Sequence, residues 1–349
     1  MSAEKVYLIG TPGAYAGATV EAWHLVRLWR RVGIDVHVVP TWGIDERWKG
    51  KIEAEGCIVH LADESTLLDV PGIRGAVTVG LCNKAYLKNI PRLYGAGCKI
   101  VWLNCMTFTF KEEVEFFNNY PPHMMVYHTQ FQKTELENAF SAAGVRIDQN
   151  KTTIIRGAFI KEDFPFAPRR HIRMENFCVG KIARMDLDKW YPELWKLRDL
   201  IQKKTPNRIT MALMGADRRV RNRLGPQPVW TVLLNANAVS PSHLYRAMHC
   251  LLPLNGGARE NWPRVGLEAM ASGVPIVAPN AWGWKEMIKN AETGLLGSSD
   301  EEIANHVANL ANDEQLRMFI IEAAYKSLDE IANPDTIGNQ WKELIGRLS

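Results

Sequence analysis

The stretch that decides the architecture is ENWPRVGLEAMASGVPIVAP, residues 260–279. Before it stand the apolar run HCLLPLN (249–255) and the loop NGGARE (255–260). Pro263 suits the first position of a helix, and Gly273 followed by Pro275 suits its stop. A helix over 263–272, about 15 Å long, is therefore expected between two short buried strands. Trp262 is a poor N-cap, so the first amides, at Arg264, Val265 and Gly266, lack a side-chain acceptor. Such amides, with the helix dipole behind them and Arg264 beside them, make an anion site. Glu268 shares the face of Arg264 and leans back towards the helix start. A carboxylate repels phosphate, so its expected role is to accept hydrogen bonds from hydroxyls next to the anion, as on a ribose. Glu260, in the preceding loop, is placed to do the same on the far side, where a sugar would sit. A lone Glu268 would be an ordinary solvated carboxylate; the pair in this setting is more specific.

Working outward, the same rhythm fills the chain. VYLIG (6–10), DVHVVP (35–40), CIVHL (57–61), AVTVGL (76–81), KIVWLN (99–104), HMMVYH (123–128) and TTIIRG (152–157) read as strands. Helical patterns lie between several of them, as over 20–31 and 134–143. KEDFPFAPRRHIRMEN (161–176), with two prolines and several charges, reads as a linker. Strands then resume at 177–182, 208–215, 229–235, 249–255 and 274–279. Strands alternating with helices imply α/β domains with parallel sheets. The expected organisation is two doubly wound, Rossmann-like domains, 1–165 and 166–330, with a last helix, 331–349, crossing back to the first. Ligands of such folds bind beyond the carboxyl ends of the strands, so a central cleft between the domains is the expected site.

Composition sets limits. Net charge is +4, from 42 Lys+Arg against 38 Asp+Glu, far from the basic face of a dedicated nucleic-acid binder. The six cysteines form no CxxC pair, and several lie in apolar runs, so they read as small buried hydrophobes in a reducing compartment. Most of the 12 tryptophans are expected in cores. No apolar stretch approaches the roughly 20 residues that span a bilayer. MSAEKVYLIG enters a strand pattern with no signal-peptide pattern, so the expected compartment is the cytoplasm.

Three further segments carry polar residues at strand ends. FCVGKIARMDLDKW (177–190) supplies Lys181, Arg184 and Lys189; ALMGADRRVR (212–221) turns at Gly215; GTPGAYAGATVEAW (10–23) joins strand to helix with Gly10, Gly13 and Gly17. The last is not G-x-G-x-x-G and supports no dinucleotide fingerprint. DLD (186–188) reads as a turn rather than a metal motif.

The 260–279 run resembles the E-x7-E signature of retaining nucleotide-sugar glycosyltransferases with the two-domain GT-B fold, the family-4 type. The matching residues are Glu260, Gly266, Leu267, Glu268, Ala269, Met270, Ala271, Gly273, Pro275, Ile276 and Val277. GWKEMIKNAETGLL (283–296) extends the likeness and departs from it at Ala291, where the family has glycine. The resemblance implies that Glu268 holds the donor ribose, Glu260 contacts the donor sugar, and amides near Val265 and Gly266 hold the diphosphate. It implies an Arg and Lys grip on that diphosphate, here Arg184 and Lys189, with Lys181 standing where the family has arginine. Gly215 would border the donor base. Gly17 would face the donor phosphates and the acceptor. The family's mid-domain histidine falls at Asn104, Cys105 or Met106, which departs from the pattern, and His128 reads as a satisfied structural histidine.

The implied activity is transfer of a sugar from a nucleotide-diphosphate sugar, a UDP-sugar first, to an acceptor hydroxyl with retention, without a metal or other cofactor. The acceptor would be a saccharide, a small molecule or a hydroxymethylated DNA base. The alternatives are a sugar-nucleotide epimerase of the same fold and an inactive sugar-nucleotide-binding protein.

Overall fold

The computed structural model describes residues 4–10, 17–41, 43–170 and 176–349. The chain divides into two compact units, 1–160 with 332–349, and 161–331. The divisions fall at 160/161 and 331/332, against the expected 165/166 and 330/331. Residues 161–163 form a short turn of helix that packs within the second unit. The expected linker therefore starts as part of that unit; its residues 171–175 lie outside the described ones, as do 11–16 of the first glycine-rich loop, Gly13 among them.

The first unit runs β1 (Lys5–Ile9), α1 (Gly17–Arg31), β2 (Asp35–Val39), α2 (Glu46–Ala54), β3 (Ile58–Val59), β4 (Val77–Leu81), α3 (Lys84–Gly95), β5 (Lys99–Leu103), α4 (Lys111–Phe116), β6 (Met124–Tyr127), α5 (Gln130–Ala142) and β7 (Thr152–Ile154). Its seven strands are all parallel, in the order β3-β2-β1-β4-β5-β6-β7. Both faces of this sheet are covered, which explains the unbroken apolar runs in β1, β4 and β5. Along β1, Val6 and Leu8 join one core while Tyr7 and Ile9 join the other. That alternation is the period-2 geometry of a strand buried on both sides.

The second unit runs β8 (Asn176–Ile182), α6 (Leu194–Gln202), β9 (Arg208–Met214), α7 (Arg218–Leu224), β10 (Thr231–Leu234), α8 (Pro241–Ala247), β11 (Cys250–Leu251), α9 (Arg264–Ser272), β12 (Val277–Pro279), α10 (Trp284–Met287), β13 (Leu295–Gly297), α11 (Asp300–Asn312) and α12 (Glu314–Ile331). Four parallel strands lie in the order β10-β9-β8-β11, and β12 pairs with β13. A single bridge, Leu251 to Ile276, joins the two sets. The strand order reverses between β8 and β11, so the loops after those two strands flank the switch point. α13 (Pro334–Leu348) belongs to the first unit, where it packs on α1. There Trp341 meets Trp29 edge to face, with ring centroids 5.3 Å apart.

Helix ends obey local chemistry. Thr129 and Ser299 cap α5 and α11 through their side chains, and α11 opens on Asp300, Glu301 and Glu302, which suits the positive end of its dipole. α9 stops at Gly273, whose φ of 76° is left-handed and favours glycine. α9 starts one residue later than expected: Pro263 has extended backbone and occupies the cap position, while Arg264 is the first helical residue. Three of the six cysteines, Cys57, Cys98 and Cys250, are buried as expected, but Cys82, Cys105 and Cys178 are partly exposed. These three follow β4, follow β5 or lie in β8, where side chains emerge from the packed layers. Among the described residues no helix is long and apolar enough to cross a membrane.

Candidate active site

The switch point of the second unit gathers three of the sequence-selected side chains, Lys181, Lys189 and Glu260, through its backbone. β8 ends at Ile182, and the chain then passes Arg184 and reaches Lys189 in a single 3-10 turn (Leu187–Lys189). β11 feeds the loop that carries Asn255 and Glu260 into α9. The two loops are stitched together: the amides of Gly256 and Ala258 both donate to the Asp188 carbonyl, at 2.8 and 3.0 Å. This brings Lys189 Nζ to 2.8 Å from Glu260 Oε1, with side chains only 18% and 19% exposed. Asn255 Nδ2 donates to the same carboxylate oxygen at 2.7 Å. Burial pushes the Glu260 carboxyl up, but Lys189, the Asn255 amide and the nearby Lys181 together outweigh it and hold it below its usual range.

Lys181, in β8, is fully buried beneath this pair. Its Nζ donates to the Leu254 carbonyl at 2.8 Å and lies 5.6 Å from the centre of the Trp190 ring. The Trp190 indole in turn donates to the Arg184 carbonyl at 2.8 Å. Burial lowers Lys181 to about 7, with Glu260 opposing the shift and Lys189 adding to it. The sign follows directly. Above the ordinary lysine value of 10.5 both folded and unfolded forms are neutral. As pH falls from there towards about 7, the unfolded chain takes up the proton first and stability is lost. Lys181→Met is therefore expected to flatten the melting-temperature profile between pH 7 and 10, where Lys181 contributes a slope of up to about 1.4 kcal/mol per pH unit. Equal slopes for parent and variant across that window would refute the burial argument.

Around α9 the second carboxylate is held differently. Glu268 is buried, and Tyr245 of α8, also buried, donates its hydroxyl to Glu268 Oε2 at 3.0 Å and to the Val265 carbonyl at 3.2 Å. Burial raises the Glu268 carboxyl, against the pull of Arg264 and the Tyr245 hydrogen bond. Pro263 offers α9 no side-chain cap, while the Gly266 amide turns back onto the Pro263 carbonyl at 2.9 Å. Of the three amides singled out in the sequence, Gly266's is thus engaged within the helix start. Tyr245→Phe is expected to weaken the nucleotide-sugar binding that the sequence resemblance implies about tenfold, the cost of roughly 1–2 kcal/mol for an unmatched buried acceptor. Titration calorimetry checks it, and an unchanged affinity would show that Glu268 does not need the phenol.

Two selected residues stand outside this cluster. Arg184 extends away: its guanidinium is 55% exposed and paired with Asp186 at 3.3 Å. Gly17 opens α1 in the first unit, with no heavy atom of the described residues within 4 Å of where a Cβ would sit. Gly215 follows β9, and a Cβ there would meet the Ala183 carbonyl oxygen at 1.8 Å, so two strand-end loops touch backbone to backbone. Sequence reading did not select Tyr245, Asn255 or Trp190. Asn255 had a detectable signal, as the polar end of an apolar strand; Tyr245 had none.

In the first unit, Asn104 is one of the three residues, with Cys105 and Met106, at which the resemblance puts the family's histidine. It donates to Glu113 Oε1 and to the Phe108 carbonyl, both at 3.1 Å. Glu113 is fully buried and also accepts from Trp102 and the Phe110 amide, with its carboxyl raised by burial to about 7. Asn104 is therefore a brace for the loop after β5. His128 donates from Nδ1 to the Ile155 carbonyl, and its other ring nitrogen faces Cys105.

Residues 167–327 match the family model "Glycosyl transferases group 1". The capsular polysaccharide biosynthesis glycosyltransferase CapM of Staphylococcus aureus is 27% identical over 179 residues, 49% of this chain and 45% of that protein. The exopolysaccharide phosphotransferase SCO2592 of Streptomyces coelicolor is 38% identical over 106 residues, 30% of this chain and 11% of that one. These matches span less than half the length of either curated relative. The crystal structure of Anabaena HepE in complex with UDP-glucose superposes with a TM-score of 0.76 at 18% identity, covering 98% of this chain and 99% of that one. The fold is that of the GT-B glycosyltransferases, with two Rossmann-like domains. The match to that family model, residues 167–327, falls within the second unit, 161–331.

Proposed function

We propose that this protein is a retaining glycosyltransferase that moves a sugar from a nucleotide-diphosphate sugar, a UDP-sugar first, to the hydroxyl of a saccharide or small molecule. The observation that carries the reading is the buried Lys189–Glu260 pair at the switch point of the second unit, beside the uncapped start of α9. A diphosphate leaving group develops negative charge as the glycosidic bond breaks. Preorganised cations and helix-start amides stabilise that charge most effectively where water is scarce. Lys189 and Arg184 are assigned to the diphosphate, with Arg264, Val265 and Lys181 behind them and Gly215 bordering the base. Arg184 reaches an anion by giving up Asp186, an exposed pair of small worth. Glu268 is assigned to the ribose hydroxyls and Glu260 to the sugar, where its low-lying carboxyl accepts hydrogen bonds. The departing phosphate oxygen takes the acceptor's proton on the same face, so no metal or separate base is assigned. Gly17, in the first unit, is assigned to the acceptor.

The names of the matched proteins support the donor class: one is a capsular polysaccharide glycosyltransferase, and HepE holds UDP-glucose. The test is a thermal-shift screen of UDP-, GDP- and ADP-sugars, then product analysis by NMR with oligosaccharide and hydroxymethylated DNA acceptors. Stabilisation by a UDP-sugar and an axial-to-axial product are expected. An epimerised nucleotide sugar formed from donor alone would replace transfer by epimerisation, and absence of any donor binding would overturn the assignment. A DNA acceptor would show as duplex binding that weakens steeply with salt. In α7 the basic run is partly spent on the fold, since Arg221 donates to the Ala216 and Leu233 carbonyls.

A further inference from the structure

At the carboxyl ends of β5 and β6 in the first unit, a thiol and an imidazole are held face to face. Cys105 Sγ lies 3.5 Å from His128 Nε2. His128 Nδ1 is 3.0 Å from the Ile155 carbonyl, which can only accept. The proton of the neutral ring therefore sits on Nδ1, and Nε2 presents its lone pair to the thiol. Gln132, fully buried, locks the two loops together. Its Oε1 accepts from the His128 amide at 2.7 Å, and its Nε2 donates to the carbonyls of Asn104 and Met106, the residues on either side of Cys105. Arg156 adds a positive charge, donating to the His128 carbonyl at 2.8 Å. His128 is buried while Cys105 is partly exposed at the edge of the first unit's core.

A nucleophile within reach of a base that is itself oriented by a third group is the geometry of an activated thiol. Among the described residues the other cysteines lack it. Burial pushes the thiols of Cys57, Cys98, Cys178 and Cys250 up, that of Cys57 to about 12. Cys82 is the near neighbour: its sulfur accepts the Cys105 amide at 2.8 Å and has no imidazole of its own among the described residues.

We propose that Cys105, with His128 as its base, is a reactive thiol that is modified by oxidising electrophiles of the peroxide class. The Cys105 proton passes to His128 Nε2. The thiolate attacks one peroxide oxygen, an S–O bond forms and the O–O bond breaks. The leaving hydroxide takes the proton back from the imidazolium as water. Sulfur is oxidised to sulfenic acid and the peroxide is reduced. This site is independent of the sugar-transfer reading, because its readout is the modified residue and not turnover.

The experiment maps cysteine modification on the intact chain by peptide mass spectrometry. With iodoacetamide at pH 7, Cys105 is expected to react at least tenfold faster than Cys82 or Cys178. With hydrogen peroxide followed by dimedone, the first adduct is expected at Cys105. His128→Gln, checked for an unchanged melting temperature, is expected to slow alkylation of Cys105 about tenfold and move its pH profile up to that of an ordinary thiol. Should that variant fail to fold, the comparison among cysteines in the parent protein decides alone. Alkylation of Cys105 no faster than Cys178, a first dimedone adduct at Cys82, or a His128→Gln protein that reacts like the parent would each overturn the proposal.

Discussion

Lys189→Ala is expected to lower sugar transfer about 10²–10³-fold, the scale of losing one preorganised group aimed at developing charge. Two roles of Lys189 contribute, and they can be separated. One is to hold Glu260, which it meets at 2.8 Å in a largely buried pair. Removing the lysine leaves a desolvated carboxylate with Asn255 as its remaining direct hydrogen-bond partner in the cluster, at a cost of up to about 3 kcal/mol. The other role is to face the diphosphate. The double variant Lys189→Ala with Glu260→Gln removes the stranded charge, so its melting temperature is expected to return most of the way to the parent's. Its turnover is expected to stay low, because the cation is still missing. Arg184→Ala, which breaks only an exposed pair with Asp186, is expected to cost less than Lys189→Ala. Melting curves and steady-state kinetics on these variants check the scheme. Full activity in the double variant would reduce Lys189 to a support for Glu260. A Lys189→Ala protein with more than a third of parental turnover would remove it from the site.

The second large effect falls on a glycine with no strain of its own. Gly283 has φ −63° and ψ −17°, a conformation open to any residue. The constraint is space: a Cβ at Gly283 would lie 1.4 Å from the Asn261 carbonyl oxygen and 3.1 Å from that of Glu260. The Gly283 amide also donates to the Glu260 carbonyl at 2.9 Å. Gly283→Ala must therefore push away the loop that carries Glu260. A loss of ~3 kcal/mol is expected, or roughly 6–12 °C in melting temperature, together with loss of donor binding. Gly17→Ala is the contrast, since its Cβ would meet nothing within 4 Å among the described residues. Its stability is expected to stay within about 0.5 kcal/mol of the parent. A drop in turnover without a drop in melting temperature would then mark Gly17 as a place where a ligand approaches the backbone. A Gly283→Ala protein melting within 2 °C of the parent would sink the packing argument (roughly the shift of under 1 kcal/mol).

Legibility in the sequence followed the range of the forces involved. The strands β1, β2, β4, β5, β6, β8 and β9 stood out because buried parallel strands are continuous β-branched and apolar runs. β13 did not, since its three residues, Leu295–Gly297, sit inside a turn-rich segment. The start of α9 was off by one because proline's fixed φ suits both the cap and the first turn. Half of the cysteines read as buried are partly exposed, since a local apolar run does not say where a strand ends relative to the layers above it.

The sequence by itself determined the α/β class, the candidate carboxylates Glu260 and Glu268, and the lysines near one strand end, because strand period, helix punctuation and charge are local properties. Only the tertiary structure decided which of these groups meet. β8 lies beside β11 although β9 and β10 come between them in the chain, and that crossover places Lys189 on Glu260 and Lys181 beneath them. It also decided that Tyr245 serves Glu268, that Arg184 turns to Asp186, and that Cys105 faces His128. Each of those pairings joins separate loops or elements whose adjacency comes from packing order and strand order, which no local pattern encodes.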